Sequence, residues 1–85
     1  MTRIKKGNNM KATIIKVSGD RGIFLSDSGY GYYCDADDEL VLGDVICGEL
    51  DSHGDSRVQR SDGFYVKIYI EALDMDKNTA LGLLQ

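Results

Sequence analysis

The sequence has no proline and no tryptophan, and it contains one histidine and two cysteines among its 85 residues. No apolar run approaches the roughly 20 residues that a membrane-spanning helix requires. Residues 1–10 include basic side chains but no apolar stretch of the kind found in signal peptides. These absences predict a cytoplasmic protein with no membrane segment. The length allows one small domain and excludes a two-lobed enzyme with a cleft between its lobes.

Residues that usually support catalysis or bind metals are also scarce. Cys34 and Cys47 form no Cys-x-x-Cys pair, and His53 lies near neither of them in the sequence, so a zinc site lacks ligands. No spacing argues for a Ser-His-Asp or Cys-His arrangement. We therefore predict a non-enzymatic protein without metal or cofactor. Two reduced thiols in apolar surroundings are the favoured interpretation, and a disulfide stays open if their strands are neighbours.

Positive charge is in short supply outside the N-terminus. The chain has 10 Lys and Arg residues against 14 Asp and Glu, a net charge of −4, which disfavours a general polyanion-binding protein. Residues 1–11 contain four basic and no acidic side chains, and we expect residues 1–10 to form an N-terminal tail. An alternative is that Met10 is the true start, because Lys5–Asn9 would be encoded by a stretch resembling a ribosome-binding site and its spacer.

Short apolar segments separated by Gly, Asp and Ser turns make up most of the chain. The strongest, residues 64–70, alternates with period 2 and places Tyr65, Lys67 and Tyr69 on the face opposite its apolar residues. Short strands at this spacing predict an all-β barrel or sandwich over residues 11–75. Residues 76–85 are expected to form a tail, with a short helix that begins near Asp76. The predicted strands are Lys11–Val17, Arg21–Leu25, Tyr30–Cys34, Val45–Leu50, Ser56–Arg60 and Phe64–Ile70. The expected core contains Ile14, Val17, Ile23, Leu25, Val45, Ile68 and Ile70.

Four of these segments resemble the S1-like and cold-shock-like group of OB-fold domains. Ala12–Val17 resembles the first strand of S1 domains, Gly22–Leu25 their Gly-small-Phe-Val second strand, and Leu42–Ile46 the Val-Gly-Asp-x-Val that opens the fourth. Gly31–Cys34 falls where those domains have Gly-Leu-Val-His, with Cys34 in place of the His. The resemblance covers residues 11–60, approximately. It implies a small five-stranded OB-like barrel, to which the remainder adds a C-terminal strand and a short tail.

The same resemblance implies a function and a place for it. OB-folds stack the bases of single-stranded nucleic acid on aromatic residues of strands 2 and 3. The resemblance therefore implies a small protein that binds single-stranded RNA or DNA, with Phe24 and either Tyr33 or Tyr32 as the stacking platform. Nearby basic residues would reach the phosphates. The expected nucleic-acid-binding residues are Lys16, Arg21, Phe24, Tyr32, Tyr33 and Arg57.

An acidic connection supports a second hypothesis, in which the protein is an interaction module or inhibitor that engages a basic protein partner. Its spacing does not match an EF-hand calcium loop. Exposed Phe24 and Tyr33 beside basic residues would favour nucleic-acid binding, whereas an acidic face would favour the protein partner. The residues of that alternative face are Asp35, Asp37, Asp38, Glu39 and Asp44.

Overall fold

The computed structural model describes residues 10–50 and 52–84, and these form six strands and one helix. Expectations for the N-terminal tail at residues 1–9 lie outside this range. No helix among the described residues is long and apolar enough to cross a membrane. The elements are β1 Met10–Ser18, β2 Arg21–Ser26, β3 Gly31–Ala36, β4 Val45–Gly48, β5 Gly54–Gln59, β6 Tyr65–Met75 and α1 Lys77–Gly82.

The strands close into an antiparallel barrel in the order β1-β2-β3-β6-β5-β4. The all-β prediction is confirmed, but the described part of the chain closes its barrel with six strands rather than five. The expected extra strand is a full member of the barrel, because β6 is long enough to pair on both sides. Its residues 65–70 bond to β5, and its residues 68–75 bond to β3.

Alternation along the strands fills the interior of the barrel. Ile14, Ile68 and Ile70 are buried there as predicted. Val45 is 42% exposed, so its assignment to the core is wrong. It lies in a continuous apolar run that gives no alternation, and the strand turns its neighbour Ile46 inward instead. Two further predicted core residues are half-buried: Val17 and Leu25.

The short helix α1 packs on the outside of the barrel, over β2 and β3. Asp76 is its N-cap, as the sequence indicates, and the Asp76 carboxylate accepts hydrogen bonds from the Thr79 backbone N–H at 3.4 Å and from the Thr79 hydroxyl. Ala80 and Leu84 bury Ile23 in a second apolar cluster outside the barrel. A Cβ at Gly31 would lie 2.6 Å from the Ala80 Cβ, so glycine allows this close approach.

The two cysteines are free thiols on different strands. Cys34 on β3 points into the core, where burial, with a smaller contribution from Asp35, raises the pKa of its thiol to about 12. Cys47 is half-buried on β4. Since β3 and β4 are not neighbours in the barrel, the alternative of a disulfide between the two cysteines is wrong.

Candidate nucleic-acid interface

The aromatic platform expected on strands 2 and 3 lies inside the protein. Phe24 and Tyr32 are directly opposite each other on β2 and β3, and their side chains are 0% and 1% exposed. Both belong to the main core cluster. Stacking a base on either ring would require opening the barrel, so the prediction that Phe24 and Tyr32 contact nucleic acid is wrong.

The outer surface of β2 and β3, which we call the β2–β3 face, is already occupied. Tyr33 is partly buried in the apolar cluster beneath α1. Arg21 Nε lies 3.3 Å from Asp35 Oδ1. The pKa of Arg21 is raised by the charge of Tyr33, then by Asp35, and also by a hydrogen bond with the Tyr33 side chain. Arg21 therefore already has an acidic and an aromatic partner within the protein, although its side chain is 57% exposed.

The remaining predicted cations lie on separate strands. Lys16 is on β1 beside a bulge and pairs in register with Ile23 of β2. Arg57 is on β5, and β1 and β5 are not neighbours in the barrel. Because Ile23 in turn pairs with Tyr33, the structure brings Lys16, Arg21 and Tyr33 to one outer surface together with Asp35. Arg57 lies elsewhere, so the predicted nucleic-acid-binding set is not assembled at one place.

A different surface combines exposed aromatic rings with cations. We call it the β5–β6 face; its members all point outward. Tyr65 and Tyr69 are 62% and 50% exposed, and the Arg57 guanidinium lies 5.5 Å from the centre of the Tyr65 ring. Lys67 is directly opposite Arg57. The residues of the β5–β6 face are Asp55, Arg57, Gln59, Tyr65, Lys67 and Tyr69.

The cations of the β5–β6 face have no acidic partner in the described residues. Neither Arg57 nor Lys67 has a carboxylate within 4.0 Å among residues 10–50 and 52–84. A shallow groove of about 320 Å³ opens between them, lined by Asp55, Ser56, Arg57 and Lys67. The face therefore presents aromatic rings and a net positive charge, from Arg57 and Lys67 against Asp55, to solvent together.

Negative charge collects at the Tyr69 end of this face. Asp35 of β3 and Asp55 of β5 flank Tyr69 in register. The pKa of Glu71 is raised by a hydrogen bond with the Asp35 side chain and by the Asp35 charge, and Arg21 opposes that shift. The side of the face that favours anions is therefore the part around Tyr65, Arg57 and Lys67.

Three of the five acidic residues of the alternative hypothesis have partners within the protein. Asp35 belongs to β3 and is paired with Arg21. Asp38 accepts the Glu39 backbone N–H at 2.7 Å and lies 3.8 Å from an Arg60 nitrogen. Asp44 accepts hydrogen bonds from the Val45 backbone N–H and from the Ser61 hydroxyl. Of these five acids, only Asp37 and Glu39 are both exposed and without a side-chain partner in the described part of the chain.

The sequence did contain a signal for the β5–β6 face. The period-2 pattern of residues 64–70 places Tyr65, Lys67 and Tyr69 together, opposite buried Val66 and Ile68. Arg57 is the one predicted contact residue that belongs to the face. The resemblance to OB-folds instead places the predicted site on strands 2 and 3, where the aromatic residues pack within the protein.

Neither a metal site nor a relative identifies the chain. In the described ranges, no group of three or more His, Cys, Asp or Glu side chains is arranged to hold a metal ion. Comparison with models of protein families, with curated proteins and with solved structures finds no match. A functional assignment therefore depends on the geometry of the surface.

Proposed function

We propose that this protein is a small non-enzymatic binding protein that engages single-stranded RNA or DNA through its β5–β6 face. The observation that favours it is the placement, on one outer surface, of two exposed tyrosines and of two cations that have no carboxylate within 4.0 Å among the described residues. Single-stranded nucleic acids are held by this combination, with bases stacked on aromatic rings and phosphates near cations.

The spacing of the two tyrosines defines how bases would be received. Tyr65 and Tyr69 are four residues apart on β6, which corresponds to about 13 Å at the usual strand rise. A single base between them would lie about 6.5 Å from each ring, at the far end of the 4.5–7 Å range of aromatic pairs, so a separate base on each ring gives closer stacking. Each tyrosine would therefore stack one base.

The negative net charge of the protein limits the affinity that we expect for nucleic acid. The net charge is −4, so the protein repels phosphate at long range and gains little from electrostatic steering. Stacking provides about 1–3 kcal/mol per base and does not require a positive net charge. We therefore expect modest binding dominated by the tyrosines.

The proposal is tested by fluorescence anisotropy of a labelled single-stranded octanucleotide at low salt. Replacing Tyr69 or Tyr65 by Ala should weaken binding by about 5- to 150-fold, the equivalent of one lost stacking contact. Tyr30→Ala is the matched control, because Tyr30 is 51% exposed, as Tyr69 is at 50%, but lies in the turn between β2 and β3. Tyr30→Ala should leave the affinity unchanged.

Two results would overturn this assignment. One is an absence of binding by the wild-type protein at low salt. The other is binding that both Tyr65→Ala and Tyr69→Ala retain at full strength, because the face would then play no part.

A second candidate function is the binding of a basic protein partner at the connection between β3 and β4. Exposed Asp37 and Glu39 lie there beside Val41 and Leu42, which are 49% and 65% exposed. Exposed apolar groups rimmed by charge occur at protein interfaces. Replacement of Asp37 and Glu39 by Asn and Gln should release such a partner, while leaving binding of the octanucleotide intact.

We also propose that the barrel is a variant of the OB-like group. The OB-fold is a five-stranded Greek-key barrel, and β1 here bonds to both β2 and β4. One additional strand in the closure would relate the two architectures. The binding proposal does not depend on this relationship, since the β5–β6 face is not the surface that the group uses.

A further inference from the structure

The two cations of the β5–β6 face repel each other. Arg57 and Lys67 are direct cross-strand neighbours, and like charges in that position are destabilising. In the described part of the chain, no carboxylate lies within 4.0 Å of either side chain to offset the repulsion. An anion bound between them would relieve it.

The charge of the groove between them fits one particular class of anion. Its lining combines Arg57 and Lys67 with Asp55, in a volume of about 320 Å³. Two cations and one carboxylate leave a formal charge of +1, which a single phosphodiester neutralises. A phosphomonoester has about −1.5 to −2 charges at pH 7, so it would bring excess negative charge beside Asp55.

The two cations of the groove lie between the two tyrosines along the strand pair. Lys67 is two residues from Tyr65 and two from Tyr69 along β6, about 7 Å in each direction at the usual rise. The Arg57 guanidinium lies opposite, 5.5 Å from the centre of the Tyr65 ring. A phosphate in the groove would therefore have one tyrosine on each side.

We propose that the groove binds the phosphodiester that links the two bases stacked on Tyr65 and Tyr69. The unit that the protein recognises is then a dinucleotide with one internal phosphate. This inference rests on the proposed function and adds to it a site size, a phosphate position and a preference for diesters. If the site holds only a dinucleotide, longer oligonucleotides should bind more tightly only by the statistical factor for their additional binding positions.

The direct test measures competition by unlabelled dinucleotides against the labelled octanucleotide. A natural dinucleotide should compete about tenfold better than the same dinucleotide with a neutral methylphosphonate linkage, because it keeps charge-assisted hydrogen bonds. Inorganic phosphate and a nucleoside 5′-monophosphate form separate arms, and both should compete more weakly than the natural dinucleotide. Stronger competition by either would assign the groove to phosphomonoesters and overturn the proposal.

The salt dependence of the binding constant reports how many phosphates the β5–β6 face neutralises. For the octanucleotide, the slope of log K against log salt should be about −0.7, the value for one contact on a single strand. Arg57→Gln and Lys67→Gln should each flatten the slope and weaken binding by about tenfold. Lys77→Gln removes the same charge from exposed α1 and is the matched control. It should change neither quantity.

The outcomes separate this inference from the proposed function. If Tyr69→Ala weakens binding while the methylphosphonate dinucleotide competes as well as the natural one, the stacking face stands and the phosphate site is wrong. A slope equivalent to three or more contacts would also overturn the single-phosphate site. If wild-type protein binds no oligonucleotide, the proposed function fails, and this inference fails with it.

Discussion

The β2–β3 face and the β5–β6 face have similar chemistry but different surroundings. Each has an outward tyrosine next to an arginine, Tyr33 with Arg21 on one and Tyr65 with Arg57 on the other. The helix α1 lies against the β2–β3 face and partly buries Tyr33. No described element lies across the β5–β6 face, and Tyr65 remains 62% exposed. What distinguishes a packing tyrosine from a candidate binding tyrosine here is the presence of a covering element.

The difference extends to the charges. On the β2–β3 face, Arg21 has Asp35 within 3.3 Å. On the β5–β6 face, Arg57 faces another cation, Lys67, across the strand pair. A surface that serves stability would be expected to pair opposite charges at such positions. The contrast argues that the second face was not built for stability alone.

The largest effect that tests this contrast is the loss of a core aromatic. Phe24→Ala should lower the free energy of unfolding by about 3–5 kcal/mol, because it removes a buried ring and leaves a cavity. Tyr69→Ala, on the exposed face, should change it by less than about 0.5 kcal/mol. Urea denaturation followed by circular dichroism measures both. Equal costs for the two changes would mean that the faces do not differ in their structural role.

The same contrast explains which buried and exposed residues could be predicted from the sequence pattern. Alternation in residues 64–70 correctly separated inward Val66 and Ile68 from outward Tyr65, because one side of β6 faces solvent. Ile23 and Phe24 are adjacent and both fully buried, since the barrel interior covers one and α1 covers the other. A strand buried on both sides loses its period-2 signal. The helix that caused this loss lies more than 50 residues away along the chain.

The candidate site was harder to predict than the fold for a related reason. Whether a residue such as Arg57 adjoins Lys67 or Lys16 depends on which strands become neighbours, and this is set by the closure of the barrel. The predicted strand ends at Ile70, yet residues 71–75 extend it and complete the pairing with β3. Long-range pairing of this kind leaves no local pattern in the sequence.

An intermediate effect is expected where α1 meets the β2–β3 face. Gly31→Ala would place a methyl group 2.6 Å from the Ala80 Cβ, and such overpacking costs about 1–3 kcal/mol. Gly82→Ala is the matched control, because a Cβ there meets no atom within 4 Å; it should stabilise the helix by up to about 1 kcal/mol. Thermal denaturation measures the two shifts, which should have opposite signs.

A double substitution shows whether the Gly31 effect arises at this contact. Combining Gly31→Ala with Ala80→Gly removes the methyl group that the new side chain would strike. The two changes together should cost less than the sum of their separate costs, since neighbouring sites are coupled. Strict additivity would place the strain elsewhere. In every variant of this set, oligonucleotide binding should be unchanged, because the β5–β6 face is not involved.

The smallest expected effect concerns the N-cap of α1. Hydrogen bonds from the Thr79 hydroxyl and backbone lower the pKa of Asp76 in the folded protein. Unfolded chains therefore bind the proton more readily, so the ionised carboxylate stabilises the fold above its ordinary pKa of 3.8. That contribution is lost as the pH falls through the lowered pKa. Asp76→Asn keeps a capping oxygen without the charge, whereas Asp76→Ala removes the cap.

The measurement is the melting temperature of the three proteins between pH 7 and pH 2. Wild type should melt above Asp76→Asn at neutral pH, and the difference should shrink as the pH falls into the acid range. Glu71, whose pKa is raised by Asp35, titrates alike in all three proteins, so its contribution cancels in the difference. Asp76→Ala should melt lowest at neutral pH. A difference between wild type and Asp76→Asn that is independent of pH would show that the cap acts through hydrogen-bond geometry alone, and that its charge does not help to hold α1 over the β2–β3 face.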